Sequence, residues 1–79
     1  MPIYPFDIHH DGGVFIGDEG AEVTDLSAAE TRALRALGQA ILDHARHRRT
    51  GFTKIEVRDG GGRVVASTSA TVSLERLIP

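Results

Sequence analysis

Residues 27–49 read SAAETRALRALGQAILDHARHRR, and the fold follows from how this stretch is interpreted. Ala33, Leu34, Leu37, Ile41, His44 and Ala45 recur at helical spacing, opposite Arg32, Arg35, Gln39, Asp43 and Arg46. Such a stripe predicts an amphipathic helix with one face towards a core. Ser27-Ala28-Ala29-Glu30 reads as a capping box at its start, in which the Ser hydroxyl accepts a first-turn amide and the Glu reaches back. Arg46, His47, Arg48 and Arg49 complement the negative end of the helix dipole, and Gly51 is the expected left-handed stop. At 1.5 Å per residue a helix of about 23 residues spans about 34 Å, longer than a typical strand.

Outward from the helix the period changes to two. Tyr4, Phe6 and Ile8 alternate with Pro5, Asp7 and His9, as in a strand with one buried face. Asp11-Gly12-Gly13 supplies turn residues, and Val14-Phe15-Ile16 folds back as the second strand of a hairpin. On the far side Thr53, Ile55 and Val57 alternate with Lys54, Glu56 and Arg58, and Asp59-Gly60-Gly61-Gly62 joins them to a strand over residues 63–68. Leu74, Leu77 and Ile78 suit a closing helical turn, while Thr71-Val72-Ser73 equally suits an extension of the last strand. The expectation is a single α+β domain over residues 1–79, a two-layer ββαββ arrangement with a four-stranded antiparallel sheet and one long helix packed on one face. Phe15 and Phe52 are then candidates for the sheet face the helix leaves open.

Composition narrows the classes. The chain has 79 residues and no cysteine, so neither a disulfide framework nor a thiolate metal site is available to its thin core. The first residues lack a basic segment followed by an apolar run, and no apolar run reaches the length of a membrane span, so a cytoplasmic address is expected. A net charge of −2 gives no overall attraction to nucleic acid or anionic lipid.

The sequence offers several groupings of chemically active residues. His9, His10, His44 and His47 are candidate metal ligands by type, but adjacent histidines on a strand point to opposite faces, and no acidic third ligand stands beside the other pair. No metal or cofactor is expected. Asp18, Glu19, Glu22 and Asp25 lack the regular alternation of a calcium loop and suit the approach to a helix N-terminus. Gly12-Gly13 and Gly60-Gly61-Gly62 read as turns, since neither opens a helix carrying Lys-Ser or Lys-Thr. Ser67, Thr68 and Ser69 have no nucleophile elbow, and a pocket of about 300 Å³ is seldom enclosed by so small a domain, so a non-enzyme is expected.

Two binding readings remain. The first is a protein-interaction or self-association module, a homodimer or a complex with another protein, using Leu42 with Arg35 and Arg46 on the outer helix face, or Phe15 and Phe52 on the sheet. The second is a regulatory nucleic-acid-binding or antitoxin-like protein using the basic end of the helix, with Arg46, Arg48, Arg49 and Lys54 on phosphates.

The residues also carry a resemblance. Met1-Pro2-Ile3-Tyr4-Pro5-Phe6-Asp7-Ile8, Asp11-Gly12, Asp18-Glu19-Gly20, Asp25-Leu26 before the Ala- and Leu-rich helix, Ile55-Glu56-Val57 and Gly62-Arg63-Val64-Val65 together resemble a family of small bacterial domains of unknown function. Members usually read Tyr-Phe-Phe near the start, and Pro5 departs from that pattern. The order of elements and the Asp-Leu pair are also remotely similar to HicB-type antitoxins, a likeness of element order that does not by itself carry a function.

Overall fold

The computed structural model describes residues 3–11, 13–16, 21–22 and 25–78, of which 14–16 and 21–22 by backbone alone. Gly12, Asp18 and Glu19, and the side chains of Phe15 and Glu22, therefore lie outside the described residues. In chain order the elements are β1 (Ile3–Tyr4), β2 (Phe6–His10), β3 (Gly13–Ile16), β4 (Ala21–Glu22), α1 (Leu26–Arg46), β5 (Gly51–Arg58) and β6 (Val64–Val72).

The expected first strand is divided at Pro5. Proline has no N–H for a ladder, and here the chain changes partners across it: β1 pairs with β4, while β2 pairs with β3 and β5. The Pro5 carbonyl still accepts the Arg58 N–H at 2.9 Å, so the break costs one donor and leaves the acceptor satisfied.

The main sheet is antiparallel throughout, in the order β3-β2-β5-β6. Its helix-covered part is three-stranded. Phe6 and Ile8 of β2, Thr53, Ile55 and Val57 of β5, and Ala66, Thr68 and Ala70 of β6 occupy the same cross-strand rows. The α+β class and the single helix on an antiparallel sheet are therefore as expected, but the layer packed with the helix has three strands and not four. β3 continues the sheet by backbone pairing at the outer side of β2. Residues 73–78 form neither a helix nor a strand.

The core is small: Ala29, Ala33 and Leu37 of α1 against Ile55 and Val57 of β5, with Tyr4, Phe6, Ile8, Leu26 and Ile41 packed around it. Alanines hold the contact line, which lets the helix lie close on the sheet. That choice rotates the helix away from the expected stripe, leaving Leu34 58% exposed and Ala45 exposed.

Both helix ends also differ from expectation. The cap is Asp25, whose Oδ1 accepts the Ala28 N–H at 2.9 Å, and Ser27 lies within the first turn. The last member of the acidic stretch thus has a structural job. At the other end Arg48, with φ 53°, takes the left-handed position assigned above to Gly51. Gly51 belongs to β5, where φ 129° favours glycine and the Asp11 carboxylate fills the space a Cβ would take.

Candidate functional site

The sheet face away from the helix is a ladder of paired charges. The alternation that buries Ile55 and Val57 turns Lys54, Glu56 and Arg58 outward, and the register sets Asp7 beside Glu56 and His9 beside Lys54. His9 Nε2 contacts Glu56 Oε1, Lys54 Nζ stands 3.7 Å from Glu56 Oε2, and Arg58 Nη2 stands 3.1 Å from Asp7 Oδ1. Neither Asp7 Oδ1 nor Arg58 Nε makes a well-directed hydrogen bond, so that half-buried pair is held by charge and proximity. With its charges matched internally, this face presents little net field. Phe52 lies at its end beside Thr71 and is 41% exposed, whereas Phe15 pairs with Ile8, in a different cross-strand row. The register does not bring the two phenylalanines together.

The four basic candidates are likewise divided. Arg46, Arg48 and Arg49 are exposed around the helix end, where Arg49 Nη2 lies 3.9 Å from Asp43 Oδ2, while Lys54 belongs to the charge ladder. Leu42, Arg35 and Arg46 share the outward helix face, seven and four residues apart, and Leu42 is 42% exposed.

Between the last helical turns and the sheet an open trough of about 670 Å³ is lined by His10, Asp11, His44, Arg49 and Thr53, among others. His44 Nε2 lies 3.4 Å from the Thr53 hydroxyl at the floor of this trough, and Thr53 is 5% exposed. Among the described residues no group of three or more His, Asp or Glu is placed to hold a metal ion, and no helix is long and apolar enough to cross a membrane.

The remaining feature is the free edge of β6. This strand ends the sheet order, so its outer backbone N–H and C=O groups have no strand partner among the described residues. It runs for nine residues, Val64-Val65-Ala66-Ser67-Thr68-Ser69-Ala70-Thr71-Val72, without a charge or a proline. Edge strands are ordinarily blunted by lysine, proline or shortness, and β6 has none of these. A bulge where Val57 pairs with Ala66 and Arg58 with Val64 adds twist at one end only. Leu34 and Glu30 of α1 overhang this edge, with a notch of about 130 Å³ between them and Ala66, Ser67 and Thr68. Neither Leu34 nor β6 was among the sequence candidates. The signal was present as the absence of any charged residue between Arg63 and Glu75.

No curated protein and no solved structure matches this chain. A family described as a domain of unknown function (DUF6894) matches residues 3–71, from the start of β1 to the penultimate residue of β6. The chain belongs to that family.

Proposed function

We propose that this domain is a protein-interaction module that binds by strand addition at the edge of β6. The observation that carries the reading is a nine-residue edge strand with no charge and no proline, ending a sheet whose opposite face is occupied by matched ion pairs. An added strand satisfies the outer backbone groups of β6, and alternate side chains supply specificity. Ser67, Ser69 and Thr71 are exposed on one side of the strand, while Ala66, Thr68 and Ala70 lie beneath the flank of the helix. An incoming strand therefore meets a polar face on one side and a partly apolar one on the other.

A synthetic peptide of the Val64–Val72 sequence with solubilising lysines at both ends tests this. Titrated into dilute protein, it is expected to slow amide hydrogen exchange at alternate residues of β6, those whose N–H points away from β5. Unchanged exchange along β6 at saturating peptide, or protection confined to another element, would refute the reading.

A further inference from the structure

We infer that the strand added at β6 is β6 of a second copy of this chain, paired antiparallel about a two-fold axis at Thr68. The inference rests on the strand-addition reading and names its partner.

The first argument is the sequence of the strand. Ala66-Ser67-Thr68-Ser69-Ala70 reads the same in both directions, and Val64 and Val72 stand at equal distances from Thr68. An antiparallel pair related by a two-fold axis sets residue i against its mirror about the axis. Centred on Thr68, this pairing sets threonine against threonine, Ser67 against the partner's Ser69, and Ala66 against the partner's Ala70. Each facing pair has matched size, and no like charges oppose one another, because the strand has no charges.

The second argument is the helix layer. α1 packs on β5 and β6 in similar measure, so its axis lies near the line between them. Strands are about 4.8 Å apart, which places the two-fold axis about 2.4 Å outside β6 and the helix axis about 2.4 Å inside it. The two helices then lie about 10 Å apart, at the upper end of ordinary helix packing distances. The side chain that fills this gap is Leu34, more than half exposed in the single chain and standing over Thr68, where the axis passes. The notch beside it has room for the partner's Leu34.

The third argument is extent. A nine-residue strand is about 30 Å long, and the sheet and helix layers together are about 20 Å deep, so each copy covers about 600 Å². Doubled, that reaches the lower bound of stable interfaces at about 1,200 Å². Val64, itself 46% exposed, marks each end of this area, against the partner's Val72.

Sedimentation velocity and crosslinking on the full chain test the inference. The wild type is expected to be a dimer, and Leu34→Glu, which opposes two carboxylates across the axis, to weaken it about 100-fold while keeping its circular dichroism. Leu42→Glu, on the outward helix face, should remain dimeric. Because the chain has no cysteine, Thr68→Cys under mild oxidation should give a disulfide-linked dimer, and Leu42→Cys should not. A wild type that stays monomeric at high concentration but binds the β6 peptide overturns the second copy and leaves strand addition standing. A dimer indifferent to Leu34→Glu, with no Thr68→Cys crosslink, overturns the inference and places the interface elsewhere. Loss of both self-association and peptide binding removes the two readings together.

Discussion

The Arg49 backbone N–H donates to the carbonyl oxygen of His44 at 2.8 Å, while the Arg48 N–H reaches the Ala45 carbonyl at 3.2 Å. These two bonds close the helix through a left-handed residue in the pattern glycine usually serves, yet here that residue is Arg48. A side chain in this region costs about 1 kcal/mol or more relative to glycine. Arg48→Gly is therefore expected to stabilise the domain by up to about 1 kcal/mol, offset in part by a more flexible unfolded chain. A rise in the urea midpoint with unchanged slope checks it.

Asp25 and Ser27 give opposite expectations. Asp25→Ala removes the acceptor of the Ala28 N–H and is expected to cost about 1 kcal/mol. Ser27→Ala, inside the first turn and exposed, should be neutral or slightly stabilising, since alanine is the better helix former. Chemical denaturation of the two single variants separates them.

Leu37 is 6% exposed in the centre of the core, and Leu37→Ala should cost about 2 to 5 kcal/mol. For so small a domain that is a large share of the whole stability. Leu34→Ala, measured at concentrations low enough to exclude association, should cost much less, because the side chain is mainly in water. Thermal melts of both at low concentration check the contrast.

Asp59 holds the loop between β5 and β6. Its Oδ1 accepts the N–H of Arg63 at 3.0 Å and of Gly61 at 2.9 Å. The Arg63 amide bond is the main reason its carboxyl is more acidic than the ordinary 3.8; desolvation opposes it, and the Gly61 amide and the Arg63 charge add to the lowering. A carboxyl with a depressed folded value contributes stability that is present above the unfolded value and lost as pH falls through the folded one. The stability difference between wild type and Asp59→Asn should thus be steady at neutral pH and shrink below about 3.8. Denaturation at a series of acidic pH values, with a carbon NMR titration of Asp59, measures both effects.

Signals confined to a few neighbouring residues were legible in the chain. The helix announces itself through 3.6-residue periodicity, and the alternation of Phe6, Ile8, Ile55 and Val57 correctly identifies the sheet residues that pack with it. The glycine loop after Asp59 is a matter of local backbone conformation, and Gly62 with φ 83° shows why glycine is there. Which oxygen caps the helix was harder to read. Asp25 and Ser27 are both good acceptors two residues apart, and the choice depends on where the incoming chain leaves the sheet.

What no local pattern contains is the relation between elements. Pro5 reads as a blemish in one strand until β1 and β2 are seen to take different partners on either side of it. Leu34 belongs to an apolar stripe by spacing alone, and only the close approach of Ala29 and Ala33 to Ile55 and Val57 turns it out over the sheet edge. The mirror sequence about Thr68 is plain in the chain, but it has no meaning in a strand paired on both sides. By itself the sequence determined the helix, the loop after Asp59 and the buried side of the strands, because each depends on neighbours within about four residues. Strand order made β6 an edge and helix rotation exposed Leu34, and both were decided by long-range packing of a core too small to cover every apolar residue.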